Sequence, residues 1–297
     1  MTTRALIAAA IALVVPCVSA QPDTASPETF TIATWNVQQF VDTHDSPYSE
    51  RDQDFEKSPL QLEAIADVIR EVNADVFAFQ EIEGSDLLRA FVEEHLPDMG
   101  YTSIVSAPDD TWHQNVAIMS RFPLGVMTSM TAVATPVPHF EEGESNLIND
   151  RILAIEVYPR PGHMVLAVTV HLKAGGGDNN AAWRAGQIEY LAGWLDEQLL
   201  IDPELNVCIL GDFNCTPESS EIQLLTSAAK PYHNVRGDSG LGLTHRSGRA
   251  IDHILVNSNL WPELVSASPR VHLEIGPEGD ECSNHYPVSA VFVTEDR

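Results

Sequence analysis

Several apolar runs of this chain end in polar groups of types that do phosphate and proton chemistry. Thr34-Trp35-Asn36 closes one run, Phe79-Gln80-Glu81 a second and Val170-His171 a third. Gly211-Asp212-Phe213-Asn214 closes a fourth, and Asp252 and His285 flank two further runs near the C-terminus. Taken singly these are ordinary. An Asn in such a place is more often a turn former, a Glu is more often solvated, and a lone His is more often a hydrogen-bonded core residue. Taken together they supply one Glu, two Asp, two Asn and two His. Oxygen donors of that kind suit Mg²⁺ or another hard divalent ion rather than structural zinc. An Asp beside a His fixes the imidazole's tautomer and raises its basicity, as proton transfer requires.

Other chemistries leave no trace. The chain has no Cys pair at zinc spacing and no His-Glu-x-x-His. It has no Gly-x-Ser-x-Gly elbow and no phosphate-cradling loop ending in Gly-Lys. Gly175-Gly176-Gly177 lacks the required Lys and reads as a flexible loop.

The elements that must hold these groups are short and apolar. Strands are predicted over Phe30–Val37, Asp75–Gln80, Asn115–Ser120, Arg151–Tyr158, Met164–His171, Asn206–Gly211, His253–Val256 and Pro287–Val293. Several are nearly continuous in Val, Ile, Leu and Phe, as strands buried on both faces are. Ser58-Pro59-Leu60-Gln61 opens a helix with an N-cap, a first-turn Pro and a capping-box Gln, and Leu62, Ile65, Ile69 and Val72 give it an apolar face. A second helix is expected from about Ala181, with Ile188, Leu191, Leu195 and Leu199 on one side. Asp42–Lys57, Thr135–Asn149 and Ala174–Asn180 read as surface insertions. The pattern predicts a single α/β or α+β domain with buried sheets.

The bulk properties bound the answer. The chain has 297 residues, 44% of them hydrophobic, and a formal net charge of -27. Residues 1–20 combine Arg4, an apolar run from Ala5 to Val15 and the small residues Val18-Ser19-Ala20, and read as a secretory signal peptide cleaved after Ala20. Residues 21–28 read as a polar linker and 29–297 as the domain. Removing the leader takes away Arg4 and no acid, leaving -28. Such acidity argues against coating nucleic acid or anionic membrane by bulk attraction, but a metal ion inverts the field locally. No later run reaches about 18 apolar residues, so no membrane insertion is expected of a secreted or periplasmic product. Nothing predicts a protein partner, and a monomer is expected. Cys208, Cys215 and Cys282 remain after cleavage. Cys215 and Cys282 each adjoin a polar cluster and would suit a bracing disulfide if those clusters meet; the alternative is three free thiols.

The ordered set Thr34-Trp-Asn-Val, Gln80-Glu81, Val170-His171-Leu-Lys, Gly211-Asp-Phe-Asn214, Ile251-Asp252 and Ser283-Asn-His-Tyr-Pro resembles the endonuclease/exonuclease/phosphatase superfamily over residues 29 to 295. That group includes pancreatic-type deoxyribonuclease, abasic-site endonucleases, neutral sphingomyelinases and inositol-polyphosphate phosphatases. The resemblance implies a four-layer αββα sandwich of two packed mixed β-sheets flanked by helices, with the site at one edge. It implies Mg²⁺ (or Mn²⁺ or Ca²⁺) held chiefly by Glu81, with Asn36 beside it. It implies that Asp212 aligns or deprotonates the attacking water and that Asn214 orients and donates to a phosphoryl oxygen. Asp252 would orient His285, and His285 would act as general base or transition-state stabiliser. His171 resembles the second imidazole of the deoxyribonuclease and sphingomyelinase branches, a candidate general acid. The abasic-site branch commonly has Asn there, which points away from DNA repair. Arg151 is a candidate phosphate contact, with a surface ion pair as the alternative, and Lys173, Arg184 and Gln187 are candidates to line the groove.

Asn284 departs from the pattern. The family usually carries Ser-Asp-His, with that Asp assisting the metal, whereas Asn offers only a neutral carbonyl. The expected activity is a secreted metal-dependent phosphodiesterase, foremost a nuclease acting on extracellular DNA or RNA. A sphingomyelinase-like phospholipase or a phosphomonoesterase is the alternative within this chemistry. The paired Trp insertion of a membrane-contacting hairpin and the Trp-x-x-Asp-Arg signature of inositol-polyphosphate phosphatases are both missing. A non-catalytic binding protein on the same fold is the alternative of another class.

Overall fold

The computed structural model describes residues 28–43, 56–107, 114–130, 133–136, 145–147, 151–227, 232–236, 242–274 and 282–295. The leader, most of the linker, Trp112 and much of the Asp42–Lys57 and Thr135–Asn149 insertions lie outside them. In chain order the elements are β1 (Thr29–Phe40), α1 (Pro59–Val72), β2 (Val76–Ile82), α2 (Ser85–His95), β3 (Ser103–Ser106), β4 (Asn115–Ser120) and β5 (Leu124–Ser129). There follow β6 (Ala134–Pro136), β7 (Ser145–Leu147), β8 (Ile152–Arg160), β9 (His163–His171), α3 (Asp178–Ile201) and β10 (Asn206–Asp212). The last are α4 (Ser220–Thr226), β11 (His233–Asn234), β12 (Asp252–Val256), β13 (Arg270–Val271) and β14 (Val288–Val293).

Two six-stranded mixed sheets form the centre, in the orders β13-β14-β1-β2-β4-β3 and β11-β12-β10-β9-β8-β5. Phe30, Ile32, Val76 and Ala78 of the first sheet interlock with Val165, Ala167, Cys208 and Leu210 of the second. One outer layer packs α1 and α2 on the first sheet through Ile65, Ile69, Leu88 and Phe91. The other packs α3 and α4 on the second through Ile188, Leu191, Leu195, Ile222 and Leu225. Central strands are therefore dry on both faces, which explains their unbroken apolar runs.

Local sequence accounts for the best-defined helix. The Ser58 side chain accepts from the Gln61 N–H, and the Gln61 side chain accepts from the Ser58 N–H, so the capping box is complete. Asn73 ends α1 in the left-handed conformation at φ 49° and sends its N–H to the Ile69 carbonyl. Helix α3 begins at Asp178, a little ahead of the predicted start, so it absorbs the end of the 174–180 insertion. Part of the 135–149 insertion is likewise regular, because β6 pairs with β7.

Topology then sets the site. Strand β1 runs parallel to β2 and antiparallel to β14. In the second sheet β10 runs parallel to β9 and antiparallel to β12. The C-terminal ends of β1, β2, β9 and β10 thus share one edge with the N-terminal ends of β12 and β14. Beneath that edge the buried Gln80 amide spans the sheets, donating to Thr34 Oγ1 at 3.0 Å and Thr169 Oγ1 at 3.1 Å.

The expected Cys215–Cys282 disulfide is not formed. All three cysteines described are free and buried. Cys282 packs in the α1/α2 layer and Cys215 in the α3/α4 layer, so the site lies between them and they do not meet. No described helix is long and apolar enough to cross a membrane.

One glycine is obligatory for this edge. Gly211 sits at φ 142°, and a Cβ there would lie 2.0 Å from the Val170 carbonyl oxygen. Gly211→Ala should destabilise the fold by about 3 kcal/mol or more, because backbone rather than a mobile side chain blocks the methyl group. Urea denaturation should show the shift in midpoint; an unchanged midpoint would contradict this packing.

Candidate active site

Register alone lines up three of the functional groups. Asp212 pairs directly with His171 on one side and Asp252 on the other. Asn36 reaches across from the first sheet. Its Nδ2 donates to Glu81 Oε1 and Asp212 Oδ2, each at 3.2 Å, and joins the two sheets at the site.

Glu81 is aimed by a backbone irregularity. Register shifts fall between Asn36 and Phe40 on β1 and between Gln80 and Ile82 on β2, as bulges beside active sites do. Glu81 has φ 60°, Gln38 49° and Gln39 54°. Non-glycine residues held in this region cluster where structure is strained for a purpose. Here the turn directs the Gln39 N–H to Glu81 Oε2 at 3.1 Å, while Gln114 Nε2 donates to the same oxygen at 3.3 Å. Lys57 braces the turn, donating to the Gln38 carbonyl at 2.5 Å and the Cys282 carbonyl at 3.0 Å. Burial lowers the Lys57 pKa, against the opposing pull of Cys282 and Glu81.

The C-terminal wall is tied to β1. Ser283 Oγ donates to the Asn36 carbonyl at 2.6 Å and accepts from the His285 N–H at 3.0 Å. Trp35 Nε1 donates to the His285 carbonyl at 3.0 Å. His285 Nδ1 lies 3.0 Å from both Asp252 oxygens, so it donates there and leaves Nε2 facing Asp212 Oδ2 at 3.8 Å. Burial pushes the His285 pKa down, but the charge and hydrogen bond of Asp252, aided by Asp212 and Glu81, outweigh it and raise the pKa to about 9. Near neutrality His285 is therefore an imidazolium, suited to stabilise developing negative charge rather than to accept a proton.

Asp212 and His171 are tuned the other way. Burial, then repulsion from Asp252, raises the Asp212 pKa to about 7. His171 Nε2 stands 3.8 Å from both Glu81 Oε1 and Asp212 Oδ2. Burial, followed by Arg151, His285 and Lys173, holds His171 well below the usual imidazole range. A neutral imidazole is a hydrogen-bond donor and a weak general acid, which alters the role the resemblance implies for it. Asn214, at φ 53°, sends its N–H to Asp212 Oδ1 at 2.8 Å and its Nδ2 to the Leu172 carbonyl at 3.0 Å.

The donor chemistry fits a hard divalent ion. Glu81 Oε1 and Asp212 Oδ2 converge on the same Asn36 and His171 nitrogens. Asp212, Asp252 and His285 also offer atoms within 4.8 Å of one another. The Asp252–His285 pair is committed to its internal hydrogen bond, however, so the converging Glu81 and Asp212 oxygens form the better ion site. Asp212's elevated pKa marks a surplus of buried negative charge that a cation would relieve.

Some sequence expectations change. Asn36 turns its amide nitrogen, not its oxygen, to the carboxylates, because Oδ1 accepts the Gln38 N–H at 2.9 Å. It acts as a brace instead of an oxygen ligand. Asn284 contributes its main chain: its N–H donates to Gln38 Oε1 at 2.9 Å and its carbonyl accepts from the Arg246 N–H at 3.0 Å. Arg151 donates to the His171 carbonyl at 3.2 Å, and the Lys173 ammonium lies 5.2 Å from the Trp183 ring centroid, so both border the site. Arg184 does not face the groove. It is buried, bonded to Glu221 at 2.9 Å and to the Lys173 and Gly175 carbonyls. Gln187 accepts from the Lys173 N–H at 2.9 Å. Sequence reasoning missed Gln38, Gln114, Lys57 and the turn Thr244–Arg249. Its one signal was the basic, glycine-punctuated stretch just before Ile251-Asp252.

The dyad's electrostatics are measurable. In the metal-free protein the His285 imidazole should titrate near pH 9 by NMR. Asp252→Asn removes the charge that raises the pKa and leaves the burial that lowers it, so the midpoint should fall below the ordinary 6.5. A midpoint that stays near 9 would show that Asp252 is not the cause.

Comparison with known proteins agrees with this geometry. The model of the endonuclease/exonuclease/phosphatase family matches residues 33–285. No curated protein matches the chain. Among solved structures, an endonuclease/exonuclease/phosphatase from Beutenbergia cavernae DSM 12333 superposes with a TM-score of 0.62 at 20% identity, covering 90% of this chain and 72% of that one. The human Nocturnin catalytic domain gives 0.62 at 15% identity, covering 90% and 94%. An AP endonuclease from Archaeoglobus fulgidus gives 0.57 at 16%, covering 89% and 99%. The two-sheet sandwich and the family match together establish that this chain belongs to the endonuclease/exonuclease/phosphatase family, a family of phosphoester hydrolases.

Proposed function

We propose that the chain is a secreted or periplasmic phosphodiesterase, most specifically a nuclease for extracellular DNA or RNA, that works with Mg²⁺ or a similar divalent ion. The supporting observation is the convergence of Glu81, Asp212 and the Asp252–His285 dyad on one edge of the sandwich. A phosphodiester resists attack because of its own negative charge, and a bound divalent ion neutralises that charge. Glu81 and Asp212 would hold the ion. Asp212, with its pKa near 7, can also take a proton from an attacking water at neutral pH. The imidazolium of His285 faces the place where phosphoryl charge develops, and its rigid anchoring to Trp35 and Ser283 avoids reorganisation. His171 donates through a neutral N–H toward the departing oxygen, and Arg151 and Lys173 border the phosphate.

The test is purified protein with plasmid DNA, RNA, sphingomyelin and bis-p-nitrophenyl phosphate, with Mg²⁺, Mn²⁺, Ca²⁺ or EDTA. Nucleic acid and the model diester should be cleaved, with EDTA abolishing turnover. Cleavage of sphingomyelin alone would replace the nuclease reading, and inactivity on every substrate would sink the enzymatic one. His285→Ala and Glu81→Ala should each lower kcat by about 100-fold or more, as loss of a main electrostatic group does; near-normal turnover would refute the role.

Mg²⁺ should also raise the melting temperature with concentration, and Glu81→Gln should remove that shift. Asn284→Asp should tighten metal binding in the same titration. An unchanged titration would place the Asn284 side chain away from the ion.

A further inference from the structure

The turn Thr244–Arg249 has no part in the chemistry above, yet it is stapled to the catalytic wall. The Tyr286 N–H donates to the Thr244 carbonyl at 2.8 Å, and the Arg246 N–H donates to the Asn284 carbonyl at 3.0 Å. Thr244 Oγ1 accepts from the N–H groups of Ile251 at 2.9 Å and Asp252 at 3.0 Å. The turn closes on itself through Thr244 and His245 N–H groups to the Arg249 carbonyl, at 3.0 and 3.1 Å. His245 packs edge-on to His285 with ring centroids 4.6 Å apart. Its Nδ1 accepts the Ser247 N–H at 3.0 Å, which leaves the hydrogen on Nε2.

This turn carries positive charge to both flanks of the dyad. Arg246 is exposed and anchored by its main chain to Asn284, on the side of the first sheet. Arg249 is exposed and donates to the Asn214 carbonyl at 3.1 Å, on the side of the second. In a chain with 16 basic and 43 acidic residues, two arginines on one six-residue turn beside the site are a local reversal of charge. Their backbone is fixed, so little ordering cost attends binding of an anion. Glu81, Asp212 and His285 serve the scissile phosphate, and the arginines stand beyond that set.

Building on the phosphodiesterase reading, we propose that the turn Thr244–Arg249 is a second anion subsite that binds the phosphate neighbouring the scissile one in a nucleic-acid strand. Guanidinium forks bind phosphate oxygens in pairs, which suits a backbone phosphate. The same charges repel an ester whose flanking group is a cation, such as a phosphocholine. The subsite therefore selects substrates by the charge next to the cleaved bond.

Three substrates separate the effects: a thymidine dinucleotide with one internal phosphate, the same dinucleotide with an added terminal phosphate at either end, and p-nitrophenyl phosphocholine. The wild type should prefer a terminally phosphorylated dinucleotide over the bare one. In the double variant Arg246→Gln, Arg249→Gln that preference should fall by about tenfold, the scale of one charged hydrogen bond. Relative kcat/KM for the phosphocholine ester should rise in the same variant. Arg246→Lys, Arg249→Lys should keep most of the preference. Equal losses on all three substrates would mean that the arginines only support the fold, and would overturn the subsite. So would a wild type indifferent to the terminal phosphate. A wild type inactive on all three would instead defeat the phosphodiesterase reading, and the subsite with it.

Discussion

Two buried carboxylates at paired positions of neighbouring strands are the constraint around which this molecule is arranged. Asp212 and Asp252 face each other in the β10–β12 ladder, and both are almost fully buried. Burying one charge costs several kcal/mol, and two of like sign add repulsion. The surroundings answer each separately. Asp252 is given a full positive partner in His285. Asp212 receives the Asn214 N–H and the Asn36 amide, which are dipoles and not charges. That unequal treatment keeps one aspartate ionised and moves the other to about 7. Stability alone would favour apolar residues at these positions, so their presence argues for chemistry.

Holding those groups in place requires both sheets to agree. The site contains residues from six strand ends, three in each sheet, and no single sheet could supply them. Asn36 and Gln80 therefore have related tasks. Gln80 locks the sheets to each other in the dry interior, and Asn36 does so at the rim, between a carboxylate of each sheet. A buried polar seam of this kind is stabilising only when every member is satisfied, which makes the sheet-to-sheet alignment specific. The left-handed residues at 38, 39, 81 and 214 are the local cost of that alignment. Each belongs to, or directly hydrogen-bonds, a site residue.

What could be seen in the sequence follows from burial. The eight predicted strands all exist because they are dry on both faces and read as apolar runs. β5 escaped notice because most of its residues are half-buried or exposed, and β11 and β13 because two residues carry no period. Helix α4 is too short to show an apolar stripe. The acids and imidazoles of the site were legible because each sits at the end of such a run. Their supports were not. Arg184 looked like a phosphate ligand because its partner, Glu221, lies 37 residues away and its buried state has no local signature. The orientation of the Asn36 amide depends on one backbone N–H two residues on. A disulfide between Cys215 and Cys282 was plausible from their neighbours, and only the layering shows that the site separates them.

The acidity of the whole chain and the basic character of the site's rim are compatible because electrostatics in salt water is local. At physiological ionic strength charges are screened over about 8 Å. Acids spread over a molecule of this size therefore govern solubility and suppress loose binding of polyanions, but scarcely touch the potential at the site. There the balance is set by Glu81, Asp212 and Asp252 against His285, Arg151, Lys173, Arg246 and Arg249. A phosphate chain would be repelled by most of this surface and accepted only where fixed positive groups and a bound cation outweigh the carboxylates. Net charge thus acts as a filter on unspecific contact, and the rim decides what is admitted.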